Sequence, residues 1–191
     1  MQFSSLEVKE LLKAWTAVSL AFALLYSYGD FFSSTFLQIL GICAVIVGSG
    51  FLLHELAHKY LAQKYGCWAE FRADNKMLLF MLAVSFFGFI FAAPGGVYIH
   101  GALSRERHGK ISLAGPMVNL ALGVFFFVLI FLGVTHPLVS FGLRINSWLA
   151  VFNLLPFWQL DGLKVLQWHK GIYVFVFGAA LILSFLGRFA L

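Results

Sequence analysis

Six apolar stretches, at about 12 to 29, 36 to 62, 77 to 93, 111 to 134, 138 to 156 and 172 to 190, run through the chain, and the segments between them hold most of its ionisable groups. Each is near the ~20 residues that an α-helix needs to cross the hydrocarbon core of a bilayer. A water-soluble fold has too little polar material here to cover itself: 61% of the 191 residues are hydrophobic and 11% charged, against ~25% charged in a typical soluble domain. The fold class expected is therefore an all-α multi-pass membrane protein with five to six membrane segments and a short re-entrant β element. With no internal repeat, low-complexity tract or long linker, residues 1–191 read as a single domain.

The net charge of +5 does not point to nucleic acid, because the Lys and Arg residues are scattered over the separators in the manner of membrane-protein loops. Two cysteines, Cys43 in an apolar run and Cys67 in a loop, suggest neither a disulfide framework nor a thiolate metal site and read as packing residues. Lys9 and Lys13 ahead of an apolar run imitate a signal peptide, but the run is long and no small-x-small site follows, so a retained first helix is expected.

The threading bears on function. If all six stretches crossed, residues near 160 would lie on the opposite face from the end of the second stretch. If 77 to 93 enters and leaves by one side, segments 1–11, 63–110 and 157–171 share a face and hold most of the Lys and Arg. The turn around Thr135 to Pro137 carries none. The positive-inside tendency then makes the shared face cytoplasmic, with the protein in the cell membrane. Arg144 must snorkel or find a partner in this scheme. Backbone at membrane depth outside helices needs protein or water to satisfy it. Ala93-Pro94-Gly95-Gly96-Val97-Tyr98-Ile99 has the turn residues and alternation of a short strand whose edge can pair with an extended peptide.

His54-Glu55-Leu56-Ala57-His58 closes the second stretch. Two histidines at i and i+4 lie one turn apart on a helix face and can reach one Zn²⁺, while the Glu between them can act as general base on a water at the metal. An ionisable group inside an apolar helix is a functional candidate in its own right. A catalytic zinc takes three protein ligands, so a third is sought among Asp161, His100, His108, His136, His169, Glu70, Asp74 and Glu106. Asp161 stands out: Pro156 interrupts a helix before it and Gly162 permits a turn after it, so the carboxylate can be aimed sideways, unless it merely caps the next helix. Gly48, Ser49 and Gly50, just before the motif, allow close approach of a neighbouring helix. The Trp residues, Trp15, Trp148, Trp158 and Trp168 among them, suit an interfacial belt, and His136 and His169 sit at membrane edges without an evident chemical task.

Together, His54-Glu55-Leu56-Ala57-His58, Gly115-Pro116-Met117-Val118-Asn119 opening an apolar helix, and Asn153 through Leu160-Asp161-Gly162 resemble the site-2 protease family of intramembrane zinc metalloproteases. Pro94-Gly95-Gly96-Val97 is similar to that family's membrane-associated β segment. The matches fall in the family's order over about 54 to 162, within a catalytic core of about 36–162. The resemblance implies one Zn²⁺ per chain held by His54, His58 and Asp161, with Glu55 activating the water. It also implies that Asn153, and by analogy Asn119, hold the substrate or stabilise the oxyanion. The partners implied are a membrane-spanning protein substrate and the lipid bilayer. The chain departs from the family in lacking the appended peptide-binding or nucleotide-sensing domains of many members, in the apolar insertion from Asn75 to Phe91, and in having Phe157 and Trp158 after Pro156. Two rivals are a metal transporter, which would need polar groups along the whole membrane depth, and a non-catalytic binder of membrane segments, which would not need Glu55.

Overall fold

The computed structural model describes residues 1–27, 31, 33–91 and 93–189, in the order α1 (Ser5–Tyr26), α2 (Ser34–Lys64), β1 (Trp68–Ala73), α3 (Asn75–Ser85), β2 (Gly95–His100), α4 (Arg105–Phe131), α5 (Pro137–Asn153), α6 (Asp161–Trp168) and α7 (Lys170–Phe189). Positions 28, 29, 92 and 190 of the expected apolar stretches lie outside the described residues, as does Leu191. Polar residues fix the helix starts. Ser4, Ser33 and Ser104 each accept the N–H of the third residue of the helix they precede, and Asp74 accepts from Lys76 and Met77.

Among the described residues, three helices, α2, α4 and α7, are long and apolar enough to cross a membrane, fewer than the five to six membrane segments expected. The first stretch falls within α1, whose opening turns carry Glu7, Lys9, Glu10 and Lys13, and the fifth gives a helix of 17 residues containing Arg144. The third gives an 11-residue helix, about 16 Å long and too short to span.

The long helices run antiparallel to their neighbours. Glu7 meets Lys59 while Trp15 bonds the Ala44 carbonyl, so α1 and α2 run in opposite senses. His58 meets Ile111 while Asn119 meets Gly50, which reverses α4 against α2. Small residues set these approaches. A Cβ at Gly48 would fall within the Trp15 indole, and one at Gly50 would lie 2.6 Å from Asn146 Oδ1. Trp15 and Trp148 are thus packed between helices, Trp148 stacking on Phe152 at 5.0 Å. Cys43 and Cys67 are free and buried, as packing residues should be.

β1 and β2 pair antiparallel, from Trp68 with His100 to Ala73 with Gly95, and Asp74 N donates to the Pro94 carbonyl at 2.9 Å. The two ends of the segment that joins β1 to β2 therefore lie side by side. β1 itself was not foreseen, although Trp-Ala-Glu-Phe-Arg-Ala alternates. Its outer edge is closed by α1: Phe71 N donates to Glu7 Oε1 at 2.9 Å and Ala73 N to Glu10 Oε2 at 3.2 Å. Because hydrogen-bonding direction alternates along an antiparallel ladder, their partners Val97 and Gly95 turn their backbone polar groups toward the far edge of β2. Gly95 sits at φ +148, and a Cβ there would come 2.2 Å from the Arg72 carbonyl oxygen, so the strand begins where only glycine fits.

Glu7 and Lys59 form an ion pair exposed by no more than 1%. Glu7 thereby ties α1 to α2 through one carboxylate oxygen and to β1 through the other. Lys59→Met should leave the Glu7 charge buried and unpaired, a loss of about 3–5 kcal/mol. The double substitution Lys59→Met/Glu7→Gln, which keeps an acceptor for Phe71 N, should recover most of it. Denaturant unfolding in micelles reads both.

Candidate metal centre

Helical periodicity puts His54 and His58 on one face of α2, their rings edge to face at 4.6 Å. Each ring is held by its Nδ1: His54 Nδ1 lies 2.6 Å from Asn119 Oδ1, and His58 Nδ1 lies 2.7 Å from the Ile111 carbonyl oxygen. Both partners are acceptors. The Asn119 amide hydrogens point to the Gly50 carbonyl at 3.1 Å and to Asn146 Oδ1 at 3.3 Å. Asn146 in turn donates to the Gly142 carbonyl at 3.0 Å. Two backbone carbonyls, which can only accept, thus orient both amides, and the proton of each neutral imidazole is placed on Nδ1. The Nε2 lone pairs face inward.

They meet each other at 3.0 Å and Asp161 Oδ2 at 3.4 Å for His54 and 3.0 Å for His58. Three ligands bound tetrahedrally at zinc distances lie about 3.3–3.4 Å apart, so this triangle needs to open by only a few tenths of an ångström to take the ion. A positive charge between these atoms is what their convergence requires. Gly115 makes the room: a Cβ there would stand 2.3 Å from His58 Nε2 and 2.6 Å from His54 Nε2. Among the described residues, His54, His58 and Asp161 form the group whose donor atoms are close enough to share a metal ion.

Asp161 is the first residue of α6, yet its carboxylate is turned to the imidazoles and not onto its own helix, whose start has no side-chain cap. Burial penalises its charge, and only positive charge among the donors, carried by the imidazoles when they are also protonated at Nε2, holds its carboxyl far below the usual range. Lys164 Nζ stands 3.8 Å from the other carboxylate oxygen. Gly162 was expected to serve a turn; its actual service is close approach, since a Cβ would lie 2.0 Å from the Leu154 carbonyl oxygen at the end of α5. The Gly-Pro-x-x-Asn segment was expected to open a helix and instead lies ten residues inside α4, where Pro116 withholds the N–H that would bond the Ser112 carbonyl.

Glu55 is buried beside His54, and its Oε2 has no hydrogen-bond partner. It lines a cavity of about 770 Å³ together with His54, His58, Asp161, Asn153 and the strand residues Gly95 to Ile99. Asn153 uses its amide on the Leu149 carbonyl at 3.0 Å, one turn back. Asn119 is not free for a ligand in the same way: both of its amide hydrogens are committed. The other ligand candidates fall away. His136 caps α5, His169 accepts from Ile172 N, His100 packs on Trp68, and Glu70 and Glu106 pair with Arg72 and Lys110. His108 and Asp74 line the cavity without joining the donor triangle. Sequence reading missed Asn146, whose signal was an amide inside an apolar run, and the Ile111 carbonyl, which left no signal.

A helical protein with a His₂Asp metal centre opening on a large cavity is the class so defined. The chain is 42% identical over 182 residues to a protein of Methanocaldococcus jannaschii provisionally named zinc metalloprotease MJ0611, covering 92% of this chain and 91% of that one. It is 30% identical over 120 residues to zinc metalloprotease MJ0392 of the same organism, of which the match spans 30%. It is also 29% identical over 139 residues to a provisionally named zinc metalloprotease of Bacillus subtilis, YwhC, of which it spans 64%. No family model and no solved structure matches. The chain belongs to the zinc metalloprotease family of MJ0611, and a single Zn²⁺ is its cofactor.

Gly115→Ala should push both imidazoles off the centre and cut zinc content from one per chain to below about 0.1, with helical circular dichroism intact. Asn119→Leu should release His54 Nδ1 and weaken zinc binding about 10- to 100-fold. Zinc per chain by elemental analysis and chelator competition measure the two.

Proposed function

We propose that the protein is an intramembrane protease of the site-2 type, hydrolysing peptide bonds of membrane-embedded or membrane-anchored proteins in the cell membrane, with its active site toward the cytoplasmic side. The observation that carries this reading is the meeting, in one cavity, of the metal donors, the unpartnered Glu55 and the open edge of β2. The apolar helices around that cavity supply the membrane setting.

When bound by His54, His58 and Asp161, Zn²⁺ supplies Lewis acidity to a water and to the scissile carbonyl. Glu55 takes the proton of the attacking water on its free Oε2 and passes it to the departing amine, so that water adds across the C–N bond and the carboxylate is regenerated. Asn119 acts as a positioning residue through His54 and does not touch substrate. Asn153, facing the cavity with one N–H and its Oδ1 left over, holds the substrate backbone or its oxyanion.

A transmembrane helix hides its carbonyls in internal hydrogen bonds and must unwind before it can be cut. Val97 and Gly95 offer an unwound segment the pairing it has lost, and the blocked edge of β1 directs that pairing to the side facing the metal. Addition of a strand at β2 brings extended backbone past the donor triangle.

Glu55→Gln should keep one zinc and lose cleavage of a single-span substrate by at least about 10²-fold. Unaltered cleavage would refute the base assignment. Val97→Pro removes one edge N–H while leaving the β1 ladder intact. It should raise KM for a helical substrate and keep zinc content, and an unchanged KM would remove the strand-pairing step.

A further inference from the structure

At the end of the bundle away from the metal centre, a second cavity of about 330 Å³ is lined by Arg144 of α5 and Arg188 of α7 together with Phe22, Tyr26 and Trp148. Two guanidiniums share it, and among the described residues neither has a carboxylate partner. Arg144 donates Nε to the Gly187 carbonyl at 3.1 Å. That bond leaves its four other N–H groups, the flat fork that matches two oxygens of an anion, without a partner among the described residues. An arginine seven residues into an apolar helix is costly unless an anion or water satisfies it, and a second arginine in the same cavity raises the demand for negative charge.

We infer that this cavity binds the phosphate of an anionic phospholipid. Phosphate supplies the charge and the bidentate geometry that paired arginines recognise. The surroundings select a lipid over a free ion, because the approach along α7 is apolar: Phe185 and Phe189 are 59% and 72% exposed and stand beside Arg188. On the other side Trp148 stacks on Phe152 and meets Phe22 edge-on at 5.8 Å, a rigid aromatic wall for an acyl chain. The lipid would join α5 to α7, and so hold the helix whose far end carries Asn153.

Native mass spectrometry of the zinc-loaded protein, delipidated in detergent and given phosphatidylglycerol, phosphatidylcholine of the same chains or inorganic phosphate, tests this. One phosphatidylglycerol should be retained with about tenfold or greater preference over phosphatidylcholine, and Arg144→Gln/Arg188→Gln should abolish the preference. Arg188→Gln alone, at an exposed side chain, should weaken it severalfold with zinc content unchanged, which separates lipid loss from unfolding. Equal retention of the two lipids, or an undiminished preference in the double variant, would overturn the inference. Displacement of the lipid by millimolar inorganic phosphate would assign the site to a free anion and overturn it as well.

Discussion

The direction of one proton governs this structure. His54 can offer Nε2 to a metal only if its hydrogen stays on Nδ1, and that is settled two residues away. The Gly142 carbonyl orients Asn146, Asn146 and the Gly50 carbonyl orient Asn119, and Asn119 then has only an oxygen to show to the imidazole. The chain of bonds crosses α5, α4 and α2. Three helices must therefore be in register before a ligand is poised, and close packing at Gly50 and Gly115 is the condition of that register. Polar groups inside an apolar bundle are expensive when unpaired, so the same bonds that set the tautomer also specify which helices are neighbours.

α6 contributes the third donor by a different device. A carboxylate long enough to reach from the side is brought in by seating the start of a short helix directly on the end of α5, where Gly162 leaves space for the Leu154 carbonyl. The first turn of a helix is a favourable place for negative charge, so the start of α6 suits the Asp161 carboxylate. The consequence is a donor triangle whose two ligand-bearing elements share one support: α2 and α6 both pack against α4, where Gly109 lets the Trp168 side chain of α6 approach.

Much of this was legible because the chemistry needs particular residues at particular spacings. The i, i+4 histidines and the sideways aspartate can be read from sequence, as can the Pro-Gly-Gly strand start. What could not be read depended on contacts without a residue-type signature. The Ile111 carbonyl that orients His58 is backbone, and any residue would supply it. Glu7 and Lys59 are 52 positions apart and look like ordinary membrane-edge charges until they are found buried together. The number of long apolar helices was less legible for a related reason. Apolar length was read without discounting the charged opening turns of α1 or the short reach of α3, whose ends are tied by a β ladder that composition does not reveal.

That ladder gives the sheet an asymmetry which links fold to chemistry. A two-stranded sheet has two open edges, and an open edge will pair with whatever extended backbone is near. Here Glu7 and Glu10 occupy the donors of β1, so α1 does for one edge what a third strand would do. The edge left open is the one lining the cavity with Glu55 and the metal donors. Glu7 also holds Lys59, the residue directly after His58, so the strand pair and the ligand-bearing turn of α2 are fastened through a single carboxylate. Loosening that carboxylate would shift the open edge relative to the donor triangle while leaving every ligand in the sequence intact. The distance between where a peptide can pair and where it can be attacked is thus set by α1, an element outside the segment that carries the motifs.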